Sequence, residues 1–307
     1  MEILLSDHLN IEYCKLHFSL KMLKESRLPM YKTSALRGGL GEILLRENCL
    51  RDRQCDGCTL KSECIVQRIL YSKMLIQPDF MGKGDSVGYV INCEDKSTDK
   101  KEGDILEFEI LLFGRMIAYY GVILQAYMKL GNEGLGSDDA TYEIVQVTDS
   151  RKRVLYANGI EERKPESMKL SDYVEYRRRK LRLKMEMHFH TPLCVKYKKE
   201  IQKEFNIEAI MYAIERRLYM LNCYEGVDSG RIKLEEHIPK LTGQLVETVS
   251  MKRYSSRHGD AMWLNGICGM AVIENVDDMA QELLLAGELI HVGKNTSFGF
   301  GRYTLMN

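Results

Sequence analysis

Leu181-Arg182-Leu183-Lys184-Met185-Glu186-Met187-His188-Phe189-His190 alternates apolar and polar side chains without a break. In an extended chain such alternation puts every apolar residue on one face, so 181–190 is predicted to be a half-buried strand ended by Thr191-Pro192. Downstream, over 199–224, Ile201, Phe205, Ile210, Ile214, Leu218 and Leu221 recur at helical spacing until Gly226 and Gly230 break it. Strands follow at about 245–254 and 262–273, joined by a polar turn over 255–260. Asp277 and Asp278 suit the first turn of a helix running to about Ile290, because carboxylates are favoured at the positive end of the helix dipole. A glycine-rich loop and a short strand over 300–305 close the chain. Strand, helix, strand, strand, helix, strand is the split βαβ order of a ferredoxin-like domain.

The first half reads the same way. A strand is predicted over 11–20, a helix over 34–48 capped by Ser34, strands at 87–92 and 104–112, a helix at 116–130 and a last strand at 142–147. The fold class is therefore α+β, with two tandem ferredoxin-like domains, 1–165 and 166–307, and a charged linker over 163–176. A cysteine-rich segment is inserted in the first domain.

A length of 307 residues fits two domains, and 45% hydrophobic residues suffice for their cores. The 44 basic and 44 acidic residues cancel, which excludes a whole-molecule field that gathers nucleic acid. Local runs remain: Arg151, Lys152 and Arg153, then Arg177, Arg178, Arg179, Lys180, Arg182 and Lys184. A polyanion site and a plain solvated face are the competing readings of such runs. The most apolar stretch, 110–128, is broken by Gly114-Arg115 and Gly121, which fits a strand end and a buried helix better than a membrane span. Acidic and basic residues interrupt the first twenty positions, unlike a secretory signal. The expectation is a soluble cytoplasmic protein with no membrane partner, in which nine cysteines serve as thiols or metal ligands rather than disulfides.

Three constellations carry candidate chemistry. Cys49, Cys55, Cys58 and Cys64 enclose a C-x2-C knuckle with Gly57 inside it. Four thiolates suit a tetrahedral structural zinc with no open position; an iron–sulfur cluster and four unmetallated thiols are the alternatives. The tail Gly293-Lys294-Asn295-Thr296-Ser297-Phe298-Gly299-Phe300-Gly301-Arg302-Tyr303 places three glycines beside two cations. Uncovered amides there suit a phosphate backbone, although such a loop also serves as an ordinary turn. Finally, Met251-Lys252-Arg253-Tyr254-Ser255-Ser256-Arg257-His258 gathers bases, a tyrosine and a histidine at a strand end, or simply forms an exposed hairpin tip.

Together these segments resemble the CRISPR repeat-RNA processing endoribonucleases, the sixth Cas family of the RAMP superfamily. The stretch from His291 to Tyr303 looks like that family's glycine-rich signature, and Arg253-Tyr254-Ser255-Ser256-Arg257 is similar to its second-domain strand motif. Phe189-His190-Thr191-Pro192-Leu193 resembles its opening into the second domain, and Leu36-Arg37-Gly38-Gly39-Leu40-Gly41 the start of its first helix. The resemblance implies RNA binding through Arg37, Arg253, Arg257, Gly293, Lys294, Gly299, Gly301 and Arg302. It implies cleavage of the precursor into crRNAs by attack of a ribose 2′-hydroxyl, leaving a 2′,3′-cyclic phosphate, without a catalytic metal. Helix 34–48 lacks the histidine such enzymes often place there, so the catalytic candidates are His291, with Tyr254, Lys294 and Tyr31 as helpers and His258 in reserve. The alternative is a non-catalytic RNA-binding RAMP subunit of a CRISPR effector complex. Expected partners are repeat RNA or crRNA and other effector subunits, the protein itself being a monomer or homodimer.

Overall fold

A computed structural model describes residues 5–51, 53, 55, 57–80, 88–179, 184–255 and 260–307, with backbone alone at 252–255, 260 and 261. The first half holds strand β1 (Glu12–Met22), helix α1 (Thr33–Asn48) and the short helix α2 (Ile65–Leu70). Strands β2 (Tyr89–Asn92) and β3 (Ile105–Phe113), helix α3 (Tyr120–Glu133) and strand β4 (Tyr142–Thr148) complete it. The sheet order is β2-β3-β1-β4, antiparallel throughout, extended beyond β4 by β5 (Val154–Ala157). Alternate residues of β1 enter the core, and Phe18 stacks on Phe108 at 4.7 Å with Tyr127 from α3 tilted against both.

The second half follows helix α4 (Leu170–Arg178). It comprises β6 (Met185–Leu193), the small hairpin β7 (Lys196–Tyr197) and β8 (Glu200–Ile201), and helix α5 (Ile207–Tyr224). The long hairpin β9 (Lys240–Ser255) and β10 (Asp260–Glu274), helix α6 (Asp278–Ile290) and β11 (Tyr303–Met306) follow. Its sheet order, β9-β10-β6-β11, repeats that of the first half. The protein is α+β, with two tandem ferredoxin-like domains.

Several boundaries differ from the sequence expectation for local reasons. Strand β6 runs through Thr191-Pro192 to Leu193, because its register with β10 breaks between Phe189 and Leu193 and the proline owes no ladder bond there. Helix α5 begins at Ile207 rather than near 199: the Asn206 side chain caps it, accepting from the Ala209 amide at 3.0 Å. Helix α1 starts one residue before Ser34, and its N-cap position belongs to Lys32 with no side-chain cap. That lysine is fully buried, its Nζ donating to the carbonyls of Asp95 (2.8 Å) and Ser97 (2.6 Å).

The second half of the supposed linker is helix. Met168–Lys169 pairs with β1, and α4 then packs on α6 through Arg177–Glu288 (3.1 Å) and Arg178–Glu282 (2.6 Å). Arg179 pairs with Glu175, and Arg153 with Asp149 and Glu166. The basic runs are thus ion-paired surfaces, the blander of the two readings; residues 180–183 lie outside the described residues. No helix among the described residues is long and apolar enough to cross a membrane.

Candidate nucleic-acid interface

The glycine loop follows from backbone crowding. Helix α6 ends on His291 in a left-handed conformation (φ 64°), and Gly293, Gly299 and Gly301 also have positive φ. A Cβ on Gly301 would lie 1.8 Å from the Val292 carbonyl oxygen, one on Gly299 2.6 Å from that of Ile91, and one on Gly293 2.5 Å from that of Cys194. The loop is therefore pressed against β2 of the first domain and the end of β6 of the second. The Gly301 amide donates to Pro192 O (2.9 Å) and the Gly299 amide to Thr296 O (2.8 Å), while Lys294 N donates to Cys194 O (2.8 Å). The expectation that glycines 299 and 301 leave amides open to phosphate is corrected: both are buried, and they clasp the two domains together.

His291 is part of that clasp. It is 1% exposed, with Nδ1 3.0 Å from the Phe300 carbonyl and Nε2 3.2 Å from Asn92 Nδ2. A carbonyl only accepts, so Nδ1 carries the proton and Nε2 accepts from the amide of Asn92. Burial pulls its pKa down to about 3, and the hydrogen bond to the Phe300 carbonyl acts the other way. Sealed and neutral, it cannot reach an RNA hydroxyl; it positions the loop.

The sign of its pH linkage follows. The unfolded imidazole binds a proton near pH 6.5 and the folded one only near 3. Stability is full above the unfolded value and falls as pH drops towards 3, at up to about 1.4 kcal/mol per pH unit. Urea unfolding at pH 7 and 4.5 should show a larger acid-induced loss in wild type than in His291→Gln, by about 2 kcal/mol. Equal losses would show that the site is not sealed.

What lies in front of the loop is a groove of about 920 Å³ running to α5 and the β7–β8 hairpin. Arg37, Arg216, Arg217 and Arg231 line it, with Lys196, Lys199 and Lys294, and no carboxylate is among its lining residues within the described part of the chain. In a chain of balanced charge this clusters cations on one surface, Arg231 among them being paired with the buried Glu215. Arg37, in the first turns of α1, lies 4.2 Å over the Phe298 ring of the loop, and Lys294 is exposed at the rim. Tyr31 is half-buried against Cys194, Met251, Phe298 and Phe300, beside the loop and not among the groove's lining residues, and burial raises its pKa, so it stays protonated.

The other candidates are placed elsewhere. Arg302 pairs with Glu94 at 2.5 Å and is not among the groove's lining residues. Arg253 and Tyr254 lie on β9 opposite Met262 and Ala261, with their side chains undescribed, and Arg257 and His258 lie outside the described residues. The remaining histidines are paired: His8 with Ser229, His17 with Glu109, His188 with Glu186, His190 with Thr304 and His237 with Asp277. Sequence reasoning missed the α5 wall. Tyr212, Arg216 and Tyr219, spaced four and three apart, and the run Lys196-Tyr197-Lys198-Lys199 were its signals.

Cys49, Cys55, Cys58 and Cys64 all line one cavity of about 350 Å³ between the end of α1 and the start of α2. Cys49 Sγ accepts from the Arg53 amide (3.2 Å) and Cys55 Sγ from Gln67 Nε2 (3.3 Å). The donor chemistry suits a thiophilic metal. As placed, no three Cys, His, Asp or Glu groups among the described residues converge closely enough to hold an ion.

Comparison with known proteins agrees with this architecture. Residues 10–168 match the AF_1859 N-terminal domain family, just over half of the chain, and residues 187–303 match the CRISPR-associated endoribonuclease Cas6 family. Over 285 residues the chain is 25% identical to an uncharacterised protein of Archaeoglobus fulgidus, covering 91% of this chain and 92% of that one. Among solved structures, a partial Cas6-RT-Cas1–Cas2 complex is similar with a TM-score of 0.58 and 11% identity over 96% of the chain. The chain spans 46% of that longer protein. Thermus thermophilus Cas6 gives a TM-score of 0.53 at 13% identity, covering 96% of this chain and 99% of its own. A Cas6 product complex gives 0.54 at 13%, covering 97% and 100%. These structural likenesses carry the fold. The break between the two family matches falls at α4, where the chain passes from the first sheet to the second. The chain therefore belongs, through its first half, to the AF_1859 N-terminal domain family, and its second half matches the CRISPR-associated endoribonuclease Cas6 family.

Proposed function

We propose that this protein binds CRISPR repeat RNA and cuts the precursor transcript into crRNAs, using no catalytic metal. The observation that carries the proposal is the groove lined by Lys294 of the glycine loop and by Arg37, which lies over the loop's Phe298, with no carboxylate among its described lining residues. The ribose 2′-hydroxyl gives up its proton to solvent water as its oxygen attacks the adjacent phosphorus, the bond to the 5′-oxygen breaks, that oxygen takes up a proton, and a 2′,3′-cyclic phosphate and a 5′-hydroxyl result. Lys294 and Arg37 hold the negative charge that builds on the phosphoryl oxygens. Tyr31, kept protonated by burial, supplies the proton to the leaving 5′-oxygen. End-labelled repeat RNA incubated with the protein in EDTA tests this: the expected product is a single 5′ fragment that polynucleotide kinase dephosphorylates only in its cyclic-phosphatase mode.

A second reading, an RNA-binding RAMP subunit of a CRISPR effector complex that does not cut, is favoured by one observation. Among the described residues no histidine lines the groove, and His291 is sealed. Tight binding with intact RNA in the same assay would select it.

We also propose that Cys49, Cys55, Cys58 and Cys64 hold a structural zinc, on the observation that all four line one cavity. The expected result is one zinc per chain by elemental analysis, and a chelator that lowers the melting temperature while RNA cleavage at low temperature persists. Visible absorbance of the purified protein would indicate an iron–sulfur cluster instead, and full thermal stability after complete chelation would sink the metal site.

A further inference from the structure

We infer that the wall of the groove away from the glycine loop is a binding track for unpaired RNA, on which bases stack while cations follow the backbone. The inference rests on the RNA-processing reading above and adds the kind of RNA this wall selects. The first observation is the arrangement of rings. Tyr197 of β7 and Tyr212 of α5 are half-buried with near-parallel rings, 15° apart in plane and 6.1 Å between centroids. Phe80, 37% exposed, lies in the same groove with the Arg216 guanidinium 4.5 Å over it. Bases in a duplex are stacked on one another and offer such rings no face, whereas an unpaired base offers its whole π surface. Arginine beside aromatic rings, with no carboxylate among the described lining residues, is the chemistry single-stranded nucleic acid uses.

The second observation is independent of the first. The β7–β8 hairpin turns on Lys198 and Lys199, with φ of 46° and 71°. Two-residue hairpin turns of this hand favour Asn-Gly, because a Cβ is disfavoured in the left-handed region. Two lysines there hold cations at the rim at a conformational cost, which points to function rather than folding. Lys198 is engaged locally, 4.8 Å over the Tyr197 ring and 3.8 Å from Glu208, while Lys199 is exposed and lines the groove. Behind the wall, the fully buried Glu215 holds Arg231 through two bonds of 2.6 Å, which fixes that guanidinium with about half its side chain exposed.

The test compares two fluorescent probes, an unstructured oligouridine and a blunt RNA hairpin, by anisotropy at fixed salt. Wild type should bind both. A Tyr197→Ala/Tyr212→Ala variant should lose oligouridine affinity by roughly tenfold or more while keeping its hairpin affinity. Tyr197→Phe/Tyr212→Phe, which keeps the stacking faces, should bind oligouridine like wild type. Lys199→Ala, at an exposed position, should shallow the salt dependence of oligouridine binding by about one unit of slope. Hairpin binding without oligouridine binding in wild type, or an Ala variant that binds both probes unchanged, overturns the track and leaves the RNA-processing reading standing. Binding of neither probe by folded wild type overturns both.

Discussion

Gly301→Ala is expected to destabilise the protein by more than about 3 kcal/mol, the largest stability effect foreseen for any single methyl group in the loop. Two costs add. The left-handed backbone (φ 71°) disfavours any Cβ by about 1–2 kcal/mol. The new methyl would then sit 1.8 Å from the Val292 carbonyl oxygen, a backbone atom that cannot rotate away. Relief requires the loop to lift, which breaks Gly301 N–Pro192 O and the packing of the loop on Ile91. A fall in melting temperature of roughly 6–12 °C is the corresponding readout. Gly38→Ala is the control: that glycine lies in α1 with nothing within 4 Å of the added atom, so helix propensity should stabilise by up to about 1 kcal/mol. A melting temperature unchanged in Gly301→Ala would show that the loop is not the clasp described here.

The second large effect is on chemistry. Lys294→Ala should reduce kcat/KM for repeat RNA on the order of a hundredfold, the loss typical of one group that stabilises transition-state charge, with the melting temperature unchanged. The side chain is exposed at the rim, and the loop keeps its shape through the Lys294 amide rather than its ammonium. Arg37→Lys should also lose activity despite keeping its charge, because the planar stack on Phe298 at 4.2 Å is lost. Wild-type turnover by both variants would move the scissile phosphate away from the loop.

Much of the fold was legible because it depends on local pattern. Alternation over the described part of β6, the acidic opening of α6 at Asp277, which accepts from the Ala280 amide at 2.8 Å, and the βαββαβ order of each half are all present, with short elements added between them. What failed was register and capping, where a residue's partner is distant: Lys32 at the head of α1 serves the Asp95 and Ser97 carbonyls, far along the chain. Of the candidate residues, Arg37 and Lys294, which stand in recognisable motifs, line the same groove. His291 shows why adjacency to a motif misleads, since the same glycines that mark the loop press it against β2 and seal the ring. The α5 wall was invisible to charge counting because its cations come from separated segments, whereas the contiguous run at Arg177, Arg178 and Arg179 is spent on Glu288, Glu282 and Glu175.

The central claim is that the RNA supplies its own nucleophile at the glycine loop. It is tested most directly by offering the protein two repeat RNAs in EDTA, one all-ribose and one with a single 2′-deoxy substitution at the cut position. Cleavage of the first, with the second bound equally tightly and left intact, is the predicted result. Cleavage of the deoxy RNA would contradict attack by the 2′-hydroxyl, and two RNAs bound but uncut would contradict the nuclease itself.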